Sequence, residues 1–381
     1  MARVIILRAL RGYPDSRVEK EAYSLSKKYD VTVFGWDREH EYKGYKESYV
    51  KVFDKTVRYI HTGIKAPIGL GFKKLLVPEL RFWMSEYKYL KNNIDKYDII
   101  HACDFDTAFI AAKIAKKYKK KVVYDIFDYY AESHQGPRVV MSLIERLDRN
   151  VIENSDAVII CSELRRQQIK AALPKQLYVI HNTPMEPNNS LGGKITKRDS
   201  KMIKLVYVGL LSKDRYLEEI AEVIESKYDI EWHVGGWGVL DNYFKNISQR
   251  CKKIIYYGEL PYLKTIKLES ECDIMTALYD PTIPNHKYAA PNKFYEALML
   301  DKPLIVIKGT GMDSYVSEYG LGEVIDLNKN DFKTEFSKAL DNLILRIRSG
   351  EIVLNKNRQL YESEFSWEIM EGRLYKLYDN L

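Results

Sequence analysis

Short β-branched runs alternate with amphipathic stretches twice over in this chain, with one polar break between the two series. That alternation constrains the fold more than any other feature. Strand–helix repeats bury their strands most readily as a parallel, doubly wound sheet. In the first series, residues 3–7, 30–34, 49–60, 99–101, 121–125, 157–161 and 177–180 read as strands, the third being a longer extended region. Residues 17–28, 72–93, 107–117, 139–154 and 162–172 read as helices, with Pro78 as a kink or restart. Residues 188–200 are polar, contain Gly192-Gly193, and read as a linker. The second series has strands at 203–208, 231–234, 254–257, 274–277 and 304–307. Its helices fall at 217–226, 240–250, 263–270, 293–300, 332–348 and 364–378. In sheets of this kind ligands bind outside the C-terminal strand ends, here expected to face a cleft between two domains.

A length of 381 residues also exceeds one ordinary core and favours two domains. No apolar run approaches the roughly 18–20 residues of a membrane span. Residues 1–8 read as a buried strand, not as a signal peptide. The four cysteines form no CxxC pair and read as buried free thiols of a reducing compartment. The seven histidines show no HxxxH or HxH spacing, so no metal site is expected. The net charge of +7 is spread over lysines interleaved with acids. A basic face can serve anionic partners such as nucleotide diphosphates or anionic lipids, but no nucleic-acid module is recognisable.

The residues that can carry chemistry cluster at strand ends of the second series. Pro291 suits the first turn of a helix running 293–300. The free N–H groups and positive dipole end of that helix form an anion site. Lys293 lies in its first turn and can neutralise a phosphate. Glu296, three residues on, shares its face and can accept hydrogen bonds from two ribose hydroxyls. An ordinary surface Lys and Glu at a helix start have the same spacing. Gly209 ends the 203–208 strand and lets a ligand approach the backbone. Lys213 and Arg215 follow, and a bidentate guanidinium suits a diphosphate; a solvated basic loop is the other reading. Gly235 and Gly236 close another strand and read equally as a simple turn. Tyr257, Gly258 and Glu259 at the next strand end complete the donor-binding set, with Tyr288, Pro291 and Asn292.

In the first half, Arg11-Gly12-Tyr13-Pro14-Asp15-Ser16-Arg17 follows the first strand without a GxGxxG, which counts against a nicotinamide or flavin enzyme. Asp104-Phe105-Asp106 is a DxD triplet. It suits a helix N-cap better than a metal-bound nucleotide, because it follows a strand and opens a helix.

Taken together, these residues resemble the GT-B retaining glycosyltransferases of family 4. The resemblance rests on Pro14-Asp15-Ser16-Arg17-Val18-Glu19-Lys20, Asp98-Ile99-Ile100-His101-Ala102-Cys103-Asp104, Tyr207-Val208-Gly209 with Arg215, Pro291-Asn292-Lys293 with Glu296, and Phe365-Ser366-Trp367. It implies an α/β fold of two Rossmann-like domains facing a cleft, with the C-terminal helix crossing back to the N-terminal domain. The bounds expected are 1–187 for an acceptor domain, 188–201 for the linker, 202–362 for a nucleotide-sugar donor domain, and 363–381 for the returning helix. Three positions depart from the family pattern. Tyr288 stands where the first of two glutamates is common, Leu210 where an arginine often follows the glycine, and Phe127 where a histidine is common.

The resemblance further implies transfer of a hexose-type sugar with retention from a UDP- or GDP-sugar to a glycan or a polyprenyl- or lipid-linked acceptor. No cofactor or metal is expected, since Lys293, Arg215 and the helix start would take the diphosphate charge. Arg215, Lys293 and Asp128 are the catalytic candidates. Arg17, His101, Asp104, Asp128 and His134 are the acceptor-side candidates. The stretch 71–92 mixes Phe72, Leu75, Leu76, Leu80, Phe82, Trp83 and Met84 with lysines and Arg81. It reads either as a peripheral membrane contact or as a core-facing helix with snorkelling lysines. A cytoplasmic protein, in the first case at the cytoplasmic membrane face, is expected. A sugar-nucleotide epimerase and a catalytically impaired sugar-nucleotide-binding subunit are the alternatives.

Overall fold

The computed structural model describes residues 1–66, 72–133, 136–186, 202–352 and 355–381. They form two compact units, one of 1–181 with 370–381, the other of 182–369. The expected linker at 188–201 lies outside the described residues, as does His134.

The first unit is built on an eight-stranded sheet. Its strands are β1 (Arg3–Arg8), β2 (Asp30–Asp37), β3 (Tyr45–Val52), β4 (Lys55–Gly63), β5 (Ile99–Cys103), β6 (Lys121–Ile126), β7 (Ala157–Ile160) and β8 (Leu177–Val179). The order is β3-β4-β2-β1-β5-β6-β7-β8. All pairs are parallel except the β3–β4 hairpin at one edge. Val4, Ile5, Ile6 and Leu7 of β1 are fully buried. An uninterrupted apolar run is what a parallel strand covered on both faces requires. The extended region expected at 49–60 is instead a hairpin. Its turn is closed by Phe53 at φ 54, whose ring packs 4.9 Å from that of Tyr23. A phenylalanine in a left-handed turn gives no turn signal in sequence, unlike Asn-Gly.

Other elements differ locally. The helix Phe72–Asn93 runs through Pro78 as one element. Where a helix over 162–172 is expected, only a short 3₁₀ turn at Glu163–Gln167 forms. The segment expected as one helix from 364 is split. A π-type turn at Tyr361–Phe365 ends at extended Ser366, and the helix proper is Trp367–Asp379. That helix from Met370 onward, with the two residues after it, belongs to the first unit. Tyr375 donates its hydroxyl to the Ser24 carbonyl at 2.8 Å, Lys27 pairs with Glu371 at 2.6 Å, and Arg373 donates to the Val179 carbonyl at 3.0 Å.

The second unit has six parallel strands: β9 (Ile203–Leu210), β10 (Ile230–Trp237), β11 (Ile254–Tyr256), β12 (Ile274–Ala277), β13 (Leu304–Ile307) and β14 (Gly322–Ile325). Their order is β11-β10-β9-β12-β13-β14. The last strand and the helix before it, Asp313–Tyr319, were not legible in the sequence pattern. Chain progression reverses between β9 and β12. Such a switch point leaves a crevice beyond the strand ends, because successive loops diverge there.

Candidate functional site

The switch point of the second unit gathers five of the expected donor residues, Gly209, Arg215, Pro291, Lys293 and Glu296. Tyr207 on β9 is buried, and its hydroxyl donates to the Leu210 carbonyl at 2.7 Å. The ammonium of Lys293, from the helix Asn292–Met299, lies 4.8 Å from the Tyr207 ring centroid. It also lies against Gly209: a Cβ added there would come within 2.4 Å of Lys293 Nζ. Glycine is therefore what lets the ammonium reach this strand end. Pro291 takes the N-cap position rather than the first turn, with ψ 144, and its carbonyl accepts the Phe294 N–H at 3.0 Å.

Arg215 reaches the same place from the short turn Lys213–Arg215 after β9. Its guanidinium lies 4.0 Å from the Tyr279 ring centroid and pairs with Asp214. It also sits 3.3 Å from Nε2 of His286. Nδ1 of His286 is 2.8 Å from the Asp280 carbonyl, which can only accept. Nδ1 thus carries the proton and Nε2 accepts from Arg215. Burial lowers the His286 pKa, which keeps the ring in that neutral form.

Two acids flank Lys293. Glu296, three residues along the same helix, is 6% exposed. Glu269, on the helix Tyr262–Ser270, is 1% exposed, and both its carboxylate oxygens lack a hydrogen-bond partner. Burial, and then the charge of Glu296, push Glu269 well above the usual carboxylate range. Burial lowers Lys293, opposed by the charges of Glu296 and Glu269. Cations in such a poorly solvated place interact strongly with an arriving anion. Glu269, Tyr279 and His286 were not found from the sequence, because they come from three separate segments that only the topology unites.

The remaining donor candidates lie around the neighbouring strand ends. A Cβ at Gly236 would fall 1.8 Å from the Gly209 carbonyl oxygen, so this glycine serves close packing of β10 on β9. Gly235 packs likewise beside Val208 and Leu260. Tyr257 is exposed, with its hydroxyl 2.8 Å from His233 Nδ1. Gly258 has φ 68, Glu259 and Lys213 are exposed, and Tyr288 ends the turn Pro284–Tyr288 half-buried. Trp237, in register with Leu210, exposes 53% of its surface at the end of β10 and offers a flat apolar face.

The acceptor-side candidates of the first unit are mostly internal. Arg17 is 3% exposed and pairs with Glu21 at 3.2 Å and with Asp125. His101 is fully buried: Nδ1 lies 2.9 Å from the Tyr378 hydroxyl, and Nε2 lies 3.5 and 3.6 Å from Glu21 and Asp125. With Cys103 these groups form a buried set whose ligand atoms lie within 4.8 Å of one another. The Arg17 guanidinium already supplies the cation that the two carboxylates require. Burial opposes the charge on Asp125, yet Arg17 and His101 hold it below its ordinary range.

Asp104 occupies the N-cap position of the helix Phe105–Tyr118, but its carboxylate does not cap that helix. It accepts the N–H groups of Phe127 (2.8 Å) and Asp128 (3.1 Å) and pairs with Arg8. A capping reading of the DxD triplet is corrected accordingly: φ 65 at Asp104 turns the side chain toward the loop after β6. Burial raises its pKa to about 6. Two guanidiniums, those of Arg8 and Arg17, each lie 4.4 Å from the Phe127 ring centroid. Asp128 is half exposed and bonded to Arg165 at 2.9 Å.

Two doubly wound units, the second with lysine and arginine gathered at its switch point, define the GT-B class of glycosyltransferase fold. The family model Glycosyltransferase Family 4 matches residues 21–183. Solved structures of the same fold match end to end. Sucrose-phosphate synthase from Thermosynechococcus elongatus superposes with TM-score 0.75 at 13% identity, covering 99% of this chain and 98% of that one. HepE from Anabaena, in complex with UDP, gives 0.68 at 11% identity with full coverage of both. The E. coli trehalose-6-phosphate structure bound with UDP-2-fluoro glucose gives 0.66 at 10% identity, covering 100% of this chain and 96% of that one. No curated protein sequence matches the chain. The chain has the GT-B fold, and its N-terminal unit is similar to the Glycosyltransferase Family 4 model.

Proposed function

We propose that the protein transfers a hexose-type sugar from a UDP- or GDP-sugar to a glycan or lipid-linked acceptor, with retention of configuration and without a metal. The observation that carries this reading is the convergence of Lys293 and Arg215 at the β9 strand end, beside Gly209. Two cations and the N–H groups of a helix start suit a nucleoside diphosphate. In this reading Glu296 accepts hydrogen bonds from the vicinal hydroxyls of the ribose, and the Trp237 face suits a base. The acceptor oxygen bonds to the anomeric carbon as its bond to the β-phosphate oxygen breaks. The acceptor proton passes to that departing oxygen, so no separate base is required. UDP complexes of the Anabaena relative support a uridine donor by analogy.

A peripheral contact with an anionic membrane is part of the same reading. Leu76, Val77, Leu80 and Met84 are 45–64% exposed on one helix, with Lys74, Arg81 and Lys88 beside them. Val139 and Leu143 are exposed on the helix Arg138–Asn154. Apolar groups flanked by cations suit an anionic lipid surface. Among the described residues no helix is long and apolar enough to cross a membrane. A second reading, a sugar-nucleotide-binding subunit without turnover, is favoured by Phe127, a non-basic ring in contact with the guanidiniums of Arg8 and Arg17. Radiolabelled or fluorescent transfer assays over UDP- and GDP-sugars, with membrane extract as acceptor, separate the two. Donor binding with no transfer or hydrolysis would favour the second.

A further inference from the structure

The first unit holds a cavity of about 380 Å³ that none of the donor chemistry uses. It is walled by β3 from Lys46 to Val50, with Asp37 at the end of β2, His61 on β4, and Arg11 and Tyr13 in the loop after β1. The loop lies directly on β2: a Cβ at Gly35 would meet the Arg11 carbonyl oxygen at 2.5 Å, and Trp36 N–H bonds the Leu10 carbonyl at 2.8 Å. A cavity of this size, with a few convergent polar groups, is of the kind that takes a small ligand.

Its walls are aromatic and polar in alternation. Tyr13 is 42% exposed, its ring set edge-on to Tyr59. Tyr42 is half-buried. Nε2 of His61 lies 2.9 Å from the Arg11 carbonyl, so it carries the proton and Nδ1 remains an acceptor. Burial lowers the His61 pKa, in keeping with the neutral ring. Charge in the cavity is largely cancelled in pairs. Arg11 pairs with Asp37 at 3.0 Å, and Glu47 pairs with Arg58 at 2.8 Å. Among the described residues no carboxylate pairs with Lys46, whose ammonium lies 4.2 Å from the Tyr42 ring centroid. The lining charges of Arg11, Lys46, Asp37 and Glu47 balance, and Lys46 is the lining cation with no carboxylate in ion-pair contact among the described residues.

Tyrosine rings beside donors and acceptors spread around the rim suit a polyhydroxylated ring better than a compact anion such as phosphate. A single cation at one side adds a preference for an acid group on that ring. We propose that this cavity binds an acidic sugar of the hexuronate class, held on Tyr13 and Tyr42, with its carboxylate at Lys46. Resting on the proposed transfer activity, that sugar belongs to the acceptor.

The test is saturation-transfer NMR on the full chain, with methyl β-glucuronide, methyl β-glucoside, inorganic phosphate and UDP-glucose as probes. The glucuronide is expected to bind saturably and about fivefold more tightly than the glucoside, as one partly exposed charge contact allows. Lys46→Gln, which keeps the melting temperature, is expected to equalise the two sugars. Absence of saturable glucuronide binding, equal binding of both sugars by the wild type, an unchanged preference in Lys46→Gln, or displacement by phosphate would each overturn the proposal. UDP-glucose separates this from the transfer reading. Nucleotide binding without glucuronide binding overturns the cavity alone. Glucuronide binding without any nucleotide binding overturns the transfer reading and leaves a sugar site.

Discussion

In the proposed donor site the Lys293 ammonium is buried, with burial lowering its pKa against the opposing charges of Glu296 and Glu269. A cation so placed is costly until an anion arrives, and it then contributes more than it would in solvent. Lys293→Ala is expected to lower transfer by about 10²–10³-fold, with the melting temperature unchanged or raised, measured by initial rates and thermal unfolding. Glu269 titrates the same pocket. Its folded pKa is raised, so the unfolded chain loses its proton first, and the group's contribution to stability declines as pH rises from the ordinary carboxylate range. Glu269→Gln is expected to abolish that decline; parallel stability–pH curves for the two proteins would contradict it. His181 works in the opposite sense. Burial lowers its pKa from 6.5 to about 3, so the unfolded chain binds the extra proton and stability falls as pH drops through that window. His181→Gln is expected to flatten this acid limb in denaturant titrations. Lys293, Glu296, Gly209 and Arg215 could be singled out from the sequence because each has a local cue: a helix start, a strand-ending glycine, a basic loop. Glu269 has no such cue, since an acid in an amphipathic helix reads as solvated until its burial is seen.

At the scale of elements, buried charge ties the first helix to the sheet. The Ser16–Ser26 helix presents Arg17 to Asp125 at the end of β6, with Glu21 and His101 closing the set. Removing the guanidinium leaves two buried carboxylates uncompensated, so Arg17→Ala is expected to cost about 3–5 kcal/mol in chemical denaturation. The helix Phe72–Asn93 shows how far periodicity goes. Its sequence left a membrane-facing and a core-facing reading open, and the structure has both faces: Phe82 and Leu90 are fully buried while Val77 and Met84 are more than 60% exposed. Leu80→Asp with Met84→Asp is expected to abolish flotation with anionic liposomes at unchanged melting temperature. Retained flotation would remove this helix from the membrane reading. The β3–β4 hairpin was less legible, because its turn residue is a phenylalanine fixed by packing on Tyr23 rather than by its own preference.

For the whole molecule, hydrophobic alternation was enough to reveal two doubly wound units, because parallel strands must be apolar on both faces. The order of the strands was not in that pattern. Yet the order is what turns scattered residues into a site: β9 and β12 are neighbours, so Arg215 from one loop meets Tyr279 and His286 from the other. In the first unit the same dependence on topology hid the internal placement of Arg17 and His101, which had been expected on the acceptor side. The most direct test of a nucleotide-sugar site at the β9 strand end is calorimetric titration of the wild type and Lys293→Ala with UDP-glucose and GDP-mannose. The expected result is saturable binding of one donor by the wild type and its loss, by at least about tenfold, in the variant. Equal affinity in both proteins, or no binding of either donor by the wild type, would contradict it.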